Sequence, residues 1–191
     1  MRTTSRVPAL CGIAALLAAL IAGAASAQSQ VVYFGLPFPE NVAGFARGST
    51  HDFEKTHPGL GYSVKYTRRP WFADIYIYDM RLKTIPEDPR SDAVRSQFER
   101  AEGDIFAQQK SGRYQNVALR GRYSIADGNK RDRVTCGNFT LTRGNAKLDS
   151  YLCVAGWRNK FVKFRISAPT ASGNDARARQ FVEAWARTLW P

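Results

Sequence analysis

Histidine is nearly missing from this sequence: His51 and His57 are the only two in 191 residues. They form no H-x-x-x-H pair, and their spacing is looser than that of zinc motifs. Asp52 and Glu54 stand beside them, so a loose divalent site can be drawn, but a surface loop is the plainer reading. The sequence implies no metal and no cofactor. It also lacks a G-x-x-x-x-G-K-[ST] phosphate loop, a G-x-G-x-x-G turn and a G-x-S-x-G elbow. Ser49-Thr50-His51-Asp52 sets triad letters side by side. Neighbours on an extended chain point to opposite faces, however, and a triad is an arrangement in space. Acids are scarce too, 16 against 28 lysines and arginines. Asp74 and Asp79 flank a candidate strand, and with Asp52 they are the only basis for acid–base hydrolysis.

Cysteine is limited to Cys11, Cys136 and Cys153. Cys11 falls in an opening segment that begins MRTTSRVP and runs without a charge from Ala9 to Ala25, ending at Ala25-Ser26-Ala27. A basic start, an apolar middle and a small-x-small end predict a Sec-type export signal over 1–27, cleaved after Ala27. An uncleaved membrane anchor is the alternative, though the run is short of the roughly 20 residues that span a bilayer. Cys11 lies too early to accept a lipid, and Arg2 and Arg6 are not adjacent as a twin-arginine signal requires. Removing the signal leaves two cysteines, and an even pair in an exported chain reads as a disulfide. The expected location is periplasmic or secreted.

What the sequence has in excess is positive charge, +12 in all and two less once Arg2 and Arg6 are gone. Such a field attracts polyanions and favours solubility without specifying a fold. Outside the cytoplasm the expected partners are an anionic envelope component or another envelope protein. Nucleic acid is not expected, nor is a stable membrane span after cleavage.

Residues 28–42 read as an extended lead-in with Val31–Phe34 as a possible edge strand, because Pro37 and Pro39 exclude a central one. Residues 43–191 read as one domain. Ala43–Glu54 is a first strand, Tyr62–Thr67 alternates as a half-buried one, and Asp74–Asp79 (DIYIYD) suits a strand covered on both faces. From Ser91 to Lys110 the period changes: Val94, Phe98, Ala101 and Ile105 mark one face of a helix, with Ser91 or Asp92 to cap it and Gly112 just past its end. Period two then returns, with Val117, Leu119, Gly121, Tyr123 and Ile125 on one face and Arg120 and Arg122 on the other. A closing helix over Asn174–Trp190 carries Ala178, Phe181, Val182, Trp185 and Leu189 on one side.

Between these helices, Arg133–Ser167 predicts a three-stranded antiparallel meander. If Arg143–Ala146 is a hairpin loop, Thr142 faces Lys147, and the same register sets Cys136 directly opposite Cys153. Opposed residues in an antiparallel pair have Cα atoms about 4.5–5.5 Å apart, within reach of a disulfide. That bridge is worth roughly 3 kcal/mol in chain-entropy terms. The second hairpin turns at Arg158-Asn159. The predicted class is α+β: a mostly antiparallel sheet of about six to seven strands, flanked by one long central helix and a C-terminal helix.

GYSVKY followed by DIYIYD, and WRNKFVKFRIS before the closing helix, resemble the fold shared by the PsbP-type extrinsic subunits of photosystem II and the Ran-binding Mog proteins. The resemblance spans about Gly44 to Trp190. It implies a central antiparallel sheet between helices and a binding or assembly role without catalysis; it carries no functional motif, and the cysteine pair is not part of it. The chain is also similar to small exported alphaproteobacterial proteins without an assigned function.

The remaining functional lead is the basic surface. Arg120 and Arg122 share one strand face, Lys163 and Arg165 share another, and Arg131 and Arg133 stand in the strand beside them. If these faces coincide, they make a cationic stripe flanked by Tyr151 and Trp157 that can engage an anionic partner. The bland alternative is a solvated sheet face whose charges block aggregation. The expectation is thus an exported, non-catalytic binding or accessory protein. An envelope-polymer hydrolase using carboxylates, or a scaffold docking through Trp157 or the C-terminal helix, stands as the rival.

Overall fold

The computed structural model describes Met1 and residues 31–191. The expected signal sequence, beyond Met1, and its cleavage point lie outside the described residues. Among the described residues, no helix is long and apolar enough to cross a membrane.

The chain forms β1 (Val31–Tyr33), β2 (Leu36–Phe38), β3 (Asn41–Val42), β4 (Phe45–Asp52), β5 (Tyr62–Arg68) and β6 (Trp71–Tyr78). Then come α1 (Asp92–Lys110), the long strands β7 (Gln115–Ala126), β8 (Asp132–Arg143), β9 (Ala146–Trp157) and β10 (Lys160–Pro169), and finally α2 (Asn174–Leu189). β1 and β2 pair as a separate ribbon, and the other eight strands form one antiparallel sheet in the order β3-β4-β5-β6-β10-β9-β8-β7. The sheet is wider than expected because the short strand β3 extends its edge beyond β4. The crossover through α1 places β10 beside β6, so the closing meander is inserted against the first one.

The meander has the expected register. Cys136 pairs with Cys153 and Leu141 with Leu148, and the cysteines form a disulfide with Cα atoms 4.1 Å apart. The first hairpin is tighter than a four-residue loop, since Arg143 and Ala146 still pair and only Gly144-Asn145 turns. Arg158 and Asn159 both take positive φ, 46° and 59°, the primed turn that matches the twist of two flanking strands.

Both faces of the sheet are covered. On one, α2 buries Phe181 and Trp185 against Phe38, Phe45, Tyr66 and Phe164. The Trp185 ring lies 5.4 Å from Phe38 and 5.7 Å from Tyr66. Leu36, Phe38 and Val42 belong to this core, so the extended segment over 31–42 is packed against the domain. Each fully buried aromatic or aliphatic side chain of this set contributes about 1.5–3 kcal/mol. On the other face, α1 lays Val94, Phe98, Ala101 and Ile105 on Phe139, Leu141, Leu152, Val154 and Phe161. Ser91 caps α1, its Oγ accepting from the Val94 amide.

β7 departs from strict alternation. Leu119 pairs with Phe139 while Gly121 pairs with Asn138, so Arg120 is the extra residue of a bulge. The bulge reverses the facing of everything after it. Val117 and Leu119 pack toward α1, whereas Tyr123 and Ile125 pack in the α2 core. Arg120 and Arg122 therefore do not continue one regular face.

Candidate functional site

α1 packs mainly on β8 and β9, and a single helix about 10 Å across leaves part of β6 and β10 uncovered on the same side. Three residues of β10, Lys163, Arg165 and Ser167, alternate onto that face. Their register partners on β6 are Tyr76, Asp74 and Phe72. Alternation thus builds a floor of two cations, a carboxylate and two aromatic rings from two adjacent strands. The flank of α1 adds Asp104 and Gln108, and the segment after it adds Tyr114, to line an open cavity of about 200 Å³ over Tyr76, Lys163 and Arg165.

The cations in this cavity are underpaired. Neither Lys163 nor Arg165 enters a salt bridge of the kind that holds Arg122, Arg133 and Lys160. Lys163 Nζ instead sits 4.5 Å from the Tyr76 ring centroid and 5.4 Å from that of Tyr78, positions that favour cation–π attraction. Burial holds the Lys163 ammonium below the usual lysine range; Arg165 repels it further, and Asp104 partly offsets both. Burial also works against the Arg165 charge, opposed by Tyr114, Tyr76 and Asp74, although a guanidinium stays protonated in proteins. Burial raises the Asp74 carboxyl above its ordinary value, against the pull of Lys65 and Arg165.

Arg165 donates from Nη2 to Ser150 Oγ at 3.4 Å, and a hydrogen bond with Tyr114 also supports its charge. Its Nη1 is buried without a partner, and so is Oε1 of Gln108. Among the described residues four buried side-chain polar atoms lack partners, and two belong to the lining of this one cavity. An unpaired buried polar group costs about 1–3 kcal/mol, and both atoms stand at the same pocket. Tyr76, Tyr114 and Arg165 also line a larger groove of about 860 Å³ that runs over Phe72 toward Leu148 and Pro169.

The other expected site residues lie apart. Arg122 is on the α1 side of the sheet but beyond the helix, bound to Glu102 at 2.9 Å with its guanidinium 5.8 Å from the Phe98 ring. α1 thus separates it from Lys163 and Arg165. Arg120 projects from the bulge and is exposed. Arg133 is held by Asp127 at 2.8 Å and Glu87 at 3.2 Å, with Trp190 stacked 5.3 Å away. Arg131 is exposed in a mixed-charge surface cleft with Lys130, Asp132 and Glu87. The single cationic stripe is not formed, because the bulge and the helix divide it.

Trp157 and Tyr151 do not flank the basic residues. Both point into the α2 core, Trp157 Nε1 donating to the Leu189 carbonyl at 2.9 Å and the Tyr151 hydroxyl donating to Asp175 at 2.8 Å. Trp157 and the buried face of α2 are committed to each other, so neither offers a free scaffold surface.

The carboxylates of the rival reading are not brought together either. Asp79 holds Lys160 at 2.6 Å and Asp52 holds Lys55 at 3.5 Å, while Asp74 alone lines the groove. The histidine loop is occupied with itself: Glu54 accepts from the Gly59 and Gly61 amides, and His51 packs on Phe53.

Gln108, Tyr114, Tyr76 and Phe72 went unrecognised in the sequence as site residues. The alternation of DIYIYD does put Asp74, Tyr76 and Tyr78 on one face, but which strand lies next to it is not a local property. Gln108 and Tyr114 bracket the end of α1 and carry no pattern of their own.

No known family model matches the chain, and no curated protein matches it. Among solved structures, it is similar to the cyanobacterial PsbP (CyanoP) of Synechocystis sp. PCC 6803, with 13% identity and a TM-score of 0.47, over 76% of this chain and 92% of that one. It is also similar to PA94, a protein of unknown function from Pseudomonas aeruginosa, with 11% identity and a TM-score of 0.38, over 82% of this chain and 90% of that one. Nothing about the fold family, the site or its ligand is drawn from either structure.

Proposed function

We propose that this is a non-catalytic binding protein that holds an anionic ligand in the cavity beside α1. One observation carries the reading: Arg165 and Lys163, both half-buried and neither held in an ion pair, line one pocket together with Tyr76, Tyr114 and Gln108. The nearby carboxylates Asp74 and Asp104 act on these two cations only through space, with no ion pair formed, so a bound oxyanion adds contacts that neither supplies. Those contacts are charge-assisted hydrogen bonds, which are about twice as strong as neutral ones. The basic opening segment and the buried disulfide support a place outside the reducing cytoplasm.

The test is equilibrium binding of small carboxylates and phosphates to the purified oxidised protein, with Arg165→Gln and Lys163→Gln alongside Arg120→Gln and Arg122→Gln. The expected result is anion binding that the first pair abolishes or weakens and the second pair leaves in place. Equal loss in all four variants would reduce the effect to net charge and remove the site.

A further inference from the structure

The cavity over Arg165 opens into a second space of different character. The groove of about 860 Å³ shares Tyr76, Tyr114 and Arg165 with it, and lies within the size range of small-molecule sites. Its floor is apolar: Phe72, Leu141, Leu148 and Pro169. Phe72 is 54% exposed, an aromatic ring on a central strand left open to solvent. Lys65, Arg69 and Arg143 also line this groove, with Asp74 as its one acid. A polar, cation-lined end therefore leads into an apolar trough with further cations about it.

Neither half is explained by a simple inorganic anion. Such an ion fills the cavity and leaves Phe72 and Leu148 wet. A neutral apolar molecule covers the trough and leaves Arg165 and Lys163 without an anionic partner. A molecule with a charged head and an apolar body satisfies both. We infer that the ligand is a soluble amphiphilic oxyanion, a carboxylate or phosphate monoester on an apolar chain. Its head sits at Arg165 and Lys163 and its body lies along Phe72 and Leu148. The inference rests on the anion-binding function proposed above and adds the apolar half.

The experiment uses the full oxidised protein and calorimetric titration with monomeric decanoate, decyl phosphate, decanol, decyltrimethylammonium, acetate and inorganic phosphate. Decanoate or decyl phosphate is expected to bind well above decanol and above its own short counterpart, rising about three- to fourfold per methylene buried. Whichever head binds tighter identifies the oxyanion. Arg165→Gln is expected to lose about 10–100-fold, with Lys163→Gln as the second variant should the first fold poorly by circular dichroism. Phe72→Ser is expected to remove the chain-length dependence while acetate or phosphate binding persists.

Acetate or phosphate binding as tightly as its decyl partner would overturn the amphiphile and leave the anion site standing. Decyltrimethylammonium binding as tightly as decanoate would overturn the charge selectivity. No binding by any anion would sink both readings. Adsorption to anionic lipid vesicles without binding of monomeric amphiphile would replace the inference with a membrane-docking face.

Discussion

Tyr76 of β6 stands directly opposite Lys163 of β10, and the lysine Nζ lies 4.5 Å from the centre of the tyrosine ring. The ring takes the place that a carboxylate fills for Lys160, whose Nζ meets Asp79 at 2.6 Å. A cation held by π faces alone has no ionic partner of its own, and the proposed anion binding depends on that.

Lys163→Met should therefore stabilise the fold while weakening anion binding. A buried charge without an ionic partner is replaced by an apolar chain of similar length, and such exchanges are neutral or gain about 1–4 kcal/mol. The pH dependence has a definite sign. Burial lowers the Lys163 pKa from its ordinary 10.5, so between the two values the folded state binds fewer protons than the unfolded one. Stability from this group then rises with pH across that window. Urea unfolding of wild type and Lys163→Met at mildly and strongly alkaline pH measures it: the variant should lose that slope.

Gly156 in β9 is fixed by a close approach. A Cβ added there would lie 1.9 Å from the Pro86 carbonyl oxygen and 3.2 Å from Val94 Cγ2. Gly156→Ala must push the segment before α1 off the sheet, at a cost of about 1–3 kcal/mol or more. Gly103→Ala is the matched contrast, since nothing lies within 4 Å of that position, and it should gain about 1 kcal/mol of helix propensity. Denaturant midpoints moving in opposite directions would bear this out.

Cys136 and Cys153 are both fully buried. Replacing the pair with alanine should cost about 3 kcal/mol, the chain-entropy value for a loop of this length, and leave the secondary structure in place. Thermal unfolding reads the loss, and alkylation of native protein should label neither cysteine.

Asp127 ties the turn before β8. Its carboxylate accepts from Arg133 Nε at 2.8 Å and from the Asn129 and Arg131 amides. The Arg133 hydrogen bond, then that of Arg131, holds its pKa below the ordinary 3.8. Between those values the unfolded state binds more protons, so this stability is present above 3.8 and is lost as pH falls through the lower, folded value. Asp127→Asn should remove that acid-side dependence, as urea midpoints from about pH 5 downward would record. An unchanged slope would mean the contacts do not favour the ionised form.

The meander was legible because each of its features is local. Two-residue alternation assigns faces, and a hairpin of any tight form preserves the register that opposes Cys136 to Cys153. Even the loop length did not matter, since Arg143 and Ala146 merely extend the ladder. The buried face of α1 was legible for the same reason: Val94, Phe98, Ala101 and Ile105 recur at helical spacing. The basic residues were not, because their faces depend on a bulge at Arg120 and on where α1 comes to rest. A single inserted residue turns every later side chain over, and no neighbouring letter announces it.

The sequence by itself determined the strand and helix periods, the cysteine pairing and the excess of positive charge, all of which follow from spacing and composition along the chain. Tertiary structure alone decided that β10 lies against β6, that α1 leaves part of them uncovered, and that Lys163 and Arg165 stand half-buried beside Gln108 and Tyr114 without an ion pair. Those contacts join residues far apart in the chain, and their energy is fixed by which surfaces end up excluding water together.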